Sequence, residues 1–132
     1  MKILIVDDDP EVRSFLSDGI GMATAEVIHT AESGEEALAK AIQMRYDLVT
    51  LDITMSRVSG IDILSVIRGM MPWSVIAIVS VYMEEVAEMA LDHVDLVLAK
   101  PVRVDILQQL VDLTKELVEK REVVRGLADL QN

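Results

Sequence analysis

Tyr46-Asp-Leu-Val-Thr-Leu-Asp-Ile-Thr-Met-Ser-Arg-Val-Ser-Gly60 is the stretch from which the rest of the chain can be read. Leu48 to Leu51 is a short apolar run with a β-branched member, long enough for a buried strand and too short for a helix. It ends on Asp52, where a central parallel strand would deliver its last residue to a crevice. In open α/β sheets that carboxyl edge is where ligands bind. One Asp after an apolar run is also an ordinary loop starter or helix cap. The reading therefore turns on what the other strands bring to the same edge.

Before Asp52, Lys2 to Val6 is an apolar strand ending in Asp7-Asp8-Asp9-Pro10. Asp9 caps a helix with Pro10 in its first turn, and Val12, Phe15, Leu16, Gly19 and Ile20 form the buried stripe. Ala25 to Thr30 reads as a second strand. Ser33 with Glu36 opens a second helix, buried through Ala37, Leu38, Ala41 and Ile42. After Asp52, Ser59 to Asp62 opens a third helix through Ile63, Leu64 and Ile67. Val75 to Val79 is a fourth strand ending on Ser80, and a weaker helix follows through Val86, Ala87 and Ala90. Leu96 to Ala99 is a fifth strand ending on Lys100-Pro101.

This alternation implies a parallel sheet with right-handed crossovers and helices on both faces. Asp7 and Asp8, Asp52, Ser80 and Lys100 then converge on one edge. Three acids suit a hard cation, Mg²⁺ above all, because it accepts one or two carboxylates and keeps several waters. Lys100 supplies a point positive charge and Ser80 a hydroxyl donor. Together they describe a site for a small, doubly charged tetrahedral anion, with a carboxylate placed to attack phosphorus in line.

These motifs resemble the receiver domains of two-component response regulators: Val6-Asp-Asp8, Asp47 to Asp52 with Gly60 eight residues on, Ser80, and Lys100-Pro101. The resemblance covers roughly residues 1–118. It implies a flavodoxin-like (βα)5 fold of three layers, with five parallel strands in 2-1-3-4-5 order. It implies that Asp52 accepts a phosphoryl group from a histidine kinase or phosphotransfer protein with Mg²⁺. Asp7, Asp8, Asp52 and the Thr54 carbonyl would be metal ligands, Ser80 the switch hydroxyl, and Lys100 the partner of the phosphoryl group. Such a domain is a phosphoacceptor rather than an enzyme, and it commonly feeds a C-terminal effector.

The chain departs from the family pattern at four places. Ser56 stands where Pro is usual, Val81 where Gly or Ala is usual, and Val97 at the aromatic switch position with Tyr82 nearby. Leu91 to Asp95 lacks the usual turn Gly. Val81 could crowd the phosphoryl pocket and Val97 leaves the aromatic switch absent, so a receiver-fold dimerisation or scaffold module that switches poorly or not at all is the alternative. A phosphatase using Asp52 fits less well, because Thr54 stands where a catalytic acid is needed. His29 and His93 read as surface or turn residues.

Length and composition set outer bounds. The 132 residues are enough for one domain with its own core, and 52% apolar content excludes disorder. There is no cysteine, so disulfide and thiolate chemistry are excluded. Residues 1–99 hold six Lys and Arg against seventeen Asp and Glu, while residues 100–132 hold six of each. That sign disfavours direct nucleic-acid binding by this domain. Met1 to Val6 is too short for a signal peptide and no run reaches the ~18 apolar residues of a span, so a cytoplasmic protein without membrane contact is expected.

The last helix is longer than a receiver needs. From Arg103, the residues Ile106, Leu110, Leu113, Leu117, Val124 and Leu127 form a heptad seam broken by Lys120. Up to Leu117 this face is expected to pack on the sheet. Residues 119–132 are expected to extend it as a linker or as the dimerisation segment of a homodimer.

Overall fold

A computed structural model describes residues 1–21, 27–53, 60–81 and 92–132, with residues 60–62 by backbone alone. Five strands, β1 (Lys2–Val6), β2 (Val27–Ala31), β3 (Leu48–Leu51), β4 (Val75–Ser80) and β5 (Leu96–Ala99), pair in parallel in the order β2-β1-β3-β4-β5. The described helices are α1 (Pro10–Gly21), α2 (Gly34–Gln43), α3 (Gly60–Met70) and α4 (Val104–Gln131). The alternation predicts the parallel sheet, and the strand order is that of the flavodoxin-like fold the family resemblance implies. The helix expected around Val86 to Ala90 lies outside the described residues, as do Ala25 and Glu26 of the expected second strand.

The sheet separates two apolar layers, which is why its inner strands are apolar on both sides. Leu4, Val6, Val49, Leu51, Ile76 and Ile78 meet α2 and α3 through Ala37, Ala41, Ile63, Leu64 and Ile67. Ile3, Ile5, Leu48, Ala77 and Val79 meet α1 and α4 through Leu16, Ile20, Leu107, Leu110 and Val111. Gly19 keeps α1 and α4 close, since a Cβ there would stand 3.3 Å from Leu107 Cδ1. The helix starts follow their caps. Asp9 Oδ1 accepts from the Glu11 N–H at 2.9 Å, and Ser33 Oγ accepts from the Glu36 N–H at 3.1 Å.

Several packing expectations need correction. Phe15 and Ile42, expected in the core, are both exposed. Phe15 sits on the rim of a groove with Val12, Val81 and Pro101. Ile42 lies in the last turn of α2, the helix that covers the β1–β2 side of the sheet, and it points away from the core. His29 is half-buried, and its Nδ1 lies 2.8 Å from the buried Tyr46 hydroxyl. In α4 the residues that turn inward are Leu107, Leu110, Val111 and Thr114, while Leu113 and Leu117 stand out in solvent. The expected seam and the buried stripe share only Leu110. Both stripes are apolar, so periodicity alone assigns the sheet to either.

The turn before β5 lacks a glycine because a side chain holds it instead. Arg68 Nε donates to the His93 carbonyl at 2.8 Å, and Nη1 donates to the Ser74 carbonyl at 2.7 Å. Nη2 meets Asp95 Oδ2 at 2.8 Å, and that same oxygen accepts the Ile76 N–H at 2.8 Å. One guanidinium thus ties α3 to the segments that lead into β4 and β5. Replacing it leaves carbonyls without their donors, and lost charge-assisted bonds of this kind cost ~2–3 kcal/mol. Arg68→Met is therefore expected to lower the stability read by urea unfolding by that amount.

Candidate functional site

Register brings the acids together. Val6 pairs with Leu51, so Asp7 and Asp52 emerge side by side, and the Asp52 N–H donates to the Val6 carbonyl at 2.9 Å. Ser80 pairs with Ala99, so Lys100 follows immediately, its N–H on the Ser80 carbonyl at 2.9 Å. The strands therefore fix all four backbones before any side chain interacts.

Asp7 is 1% and Asp52 3% exposed, which is unusual for carboxylates. Lys100 lies across them, with Nζ at 2.9 Å from Asp7 Oδ2 and 3.3 Å from Asp52 Oδ2. Asp7 Oδ1 accepts the Asp9 N–H at 2.9 Å, and its carbonyl accepts from Arg13 Nη1 at 2.7 Å. Asp8 is exposed, yet oxygens of Asp7, Asp8 and Asp52 all lie within 4.8 Å of one another. Ser80 is fully buried at the end of β4. The structure thus brings together Asp7, Asp8, Asp52 and Lys100 by direct geometry and Ser80 by register. Thr54 lies outside the described residues, as do Ser56 and Tyr82.

Val81 is 63% exposed and forms part of the groove wall with Phe15, Lys100 and Pro101 rather than packing into the core. Val97 is half-buried against the α2–α3 layer. Arg13, which holds the Asp7 carbonyl, is a site residue that sequence reasoning misses. Its only signal is a cation one turn into the helix that follows the acids.

Among the described residues, the site holds three carboxylates against the one ammonium of Lys100. Burial pushes the Asp7 carboxyl above its ordinary value; the Lys100 and Asp9 hydrogen bonds counter this, and the Asp52 charge adds to it. Burial would lower Lys100, but its bond to Asp7 and the charges of Asp52 and Asp7 outweigh this and raise it. Among the described residues, the Lys100 ammonium faces two buried carboxylates and a third at the rim. An oxygen-only donor set with surplus negative charge fits a hard divalent cation.

The response regulator receiver domain family matches residues 3–112. The chain is 36% identical over 88 residues to a protein-glutamate methylesterase/protein-glutamine glutaminase of Archaeoglobus fulgidus, covering 67% of this chain and 25% of that protein. It is 41% identical over 71 residues to the chemotaxis protein CheY of Thermotoga maritima, covering 54% of this chain and 59% of that one. The chain therefore spans about a quarter of the methylesterase's length and just over half of CheY's. Among solved structures, the response regulator protein TrrA of Thermotoga maritima in complex with Mg²⁺ and BeF superposes with a TM-score of 0.78 at 33% identity, over 86% of this chain and 97% of that one.

The sign of the Asp7 shift gives a pH prediction. A carboxyl raised in the folded state binds its proton more tightly there than in the unfolded chain. Its contribution to stability therefore falls as pH rises from 3.8 through the raised value. Asp7→Asn is expected to stabilise the metal-free protein against urea near neutral pH. That difference should shrink as pH falls toward 3.8, and it should reverse when a divalent cation saturates the wild type.

Proposed function

The chain belongs to the response regulator receiver domain family, and from that premise we propose that it is a phosphoacceptor switch in which Asp52 takes a phosphoryl group from a histidine kinase or phosphotransfer protein. The observation that carries the proposal is Lys100 reaching both buried carboxylates, Asp7 and Asp52, from the end of a different strand. Asp7, Asp8 and Asp52 would hold Mg²⁺, together with the Thr54 carbonyl. When bound, Mg²⁺ would offset charge on the donor's phosphate oxygens.

An Asp52 carboxylate oxygen attacks phosphorus in line. The new oxygen–phosphorus bond forms as the donor's bond breaks, and the donor's imidazole leaves with the electron pair. Lys100 gains a phosphoryl oxygen as partner in place of the Asp52 oxygen it now holds, and Ser80 supplies a hydroxyl from the neighbouring strand end. The phosphoryl group changes the charge at this edge, and the output is altered pairing of the surface around Ser80 with an effector or another protein. On this reading the domain assists its own phosphorylation and hydrolysis and catalyses no reaction on another substrate. Among the described residues no helix is long and apolar enough to cross a membrane.

The scaffold reading rests on Val81 as an obstruction and on Val97 in place of an aromatic switch residue. The exposure of Val81, on the wall of the α1 groove, removes the first of these two supports.

Intact-mass measurement with acetyl phosphate and Mg²⁺ tests the assignment. Wild type is expected to gain one phosphoryl group and Asp52→Asn none, with Asp52→Asn still cooperatively folded. Lys100→Ala is expected to label more slowly by ~10²-fold, since it removes the fixed charge at the phosphoryl site. Labelling of Asp52→Asn at the wild-type rate would overturn the proposal.

A further inference from the structure

Helix α4 is 28 residues long, about 42 Å, whereas strands of 4–6 residues span at most about 20 Å. It begins beside Lys100 and runs past the opposite sheet edge. Its inward phase is set by Leu107, Val111 and Thr114, and it continues through Val118, Arg121 and Arg125. These last three close a cleft of about 120 Å³ over Arg45, Asp47 and Trp73. Arg45 stacks there on the Trp73 ring, with Cζ 3.8 Å from the centroid. The segment beyond Val118, expected as a linker or dimerisation segment, thus borders the body along one face.

A second stripe runs one residue earlier, turned about 100° round the helix. Leu113, Leu117, Val124 and Leu127 lie on it, with exposures of 57%, 46%, 65% and 57%. Water is a poor neighbour for four large side chains in one line. Their spacing is 4-7-3 with Lys120 in the open layer, the 3.5-residue period of a two-helix seam rather than the 3.6 period of a helix lying on a sheet.

We propose that a second copy of this chain packs along this stripe in parallel, forming a short two-stranded coiled coil from Leu113 to Leu127. Three features select that occupant and direction. Leu113 and Leu127 take d positions, with Leu117 and the β-branched Val124 at a, a set compatible with two parallel strands. Glu116 then falls at g and Arg121 at e, so a parallel pair sets Glu116 beside the partner's Arg121, twice by symmetry. An antiparallel pair sets Arg121 against the partner's Arg121 instead. The four side chains of the stripe are 46–65% exposed, so among the described residues the partner helix displaces nothing packed over them. Nor does the extension have to nucleate alone, because the packed turns from Val104 to Thr114 have already formed the helix it propagates. Lys120 brings two ammoniums into one layer and weakens the pair, lifting them out along apolar stems.

The proposal does not rest on phosphorylation. Sedimentation equilibrium of the full chain at tens of micromolar is expected to give twice the 14.6 kDa of one chain. Val124→Glu combined with Leu127→Glu is expected to restore the single-chain mass with an unchanged far-UV spectrum, since both positions are more than half exposed. Lys120→Leu is expected to tighten the dimer by ~10-fold or more. Because the chain has no cysteine, oxidised Leu127→Cys reports direction: a parallel pair places the two thiols in one layer and forms a disulfide dimer. Asp52→Asn is expected to dimerise like wild type, so loss of labelling and loss of dimer are separable. A monomeric wild type, a dimer that survives the paired Glu substitutions, or an unaltered Lys120→Leu dimer would overturn the proposal. So would a disulfide that forms only between Leu127→Cys and Leu113→Cys chains.

Discussion

One ammonium shared by two buried carboxylates is the constraint around which this domain is arranged. Asp7 and Asp52 are removed from water almost completely, and an uncompensated charge in such a position costs several kcal/mol. Lys100 relieves part of that cost, and it comes from a strand that borders neither of theirs. The arrangement holds only if three strands end at the same height. Sheet register secures this through the Asp52 N–H on Val6 and the Lys100 N–H on Ser80. What remains is a surplus of negative charge in a nearly dry pocket. Such a surplus weakens the fold at this edge while making its donor set fit a hard cation.

The features legible in the sequence are those set by local chemistry. The ends of β1, β3, β4 and β5 fall at or within a residue of where the sequence places them, because each apolar run stops at a polar residue. Asp9 and Ser33 are recognisable as caps because capping depends on residue type and offset. Asp7, Asp8, Asp52, Ser80 and Lys100 are legible because they recur at strand ends, and in a parallel sheet strand ends share an edge.

What is not legible depends on tertiary geometry. Phe15 and Ile42 satisfy a helical stripe, but a stripe does not say how far the opposing layer extends. The inward face of α4 is ambiguous because Leu110 belongs to two apolar lines, and only the packed structure shows which one meets the sheet. The Arg68 clip replaces a glycine with a network of acceptors from separate segments, and no single segment advertises it. The Arg45–Trp73 stack likewise joins two residues far apart in the chain that no spacing rule connects.

The charge distribution explains why the two ends of the molecule can do different things. Residues 1–99 carry eleven more acids than bases, whereas residues 100–132 carry none in excess. Two such bodies repel one another, and at physiological ionic strength that repulsion fades over about 8 Å. A contact made body to body would have to overcome it at close range. A contact made along α4 beyond Val118 lies where charge is balanced and at the sheet edge remote from the acid cluster. The acidic surplus therefore disfavours pairing through the bodies while leaving the balanced tail free to associate. The same surplus is concentrated at the carboxylate cluster at the other end, whose oxygen-only donor set fits a hard divalent cation.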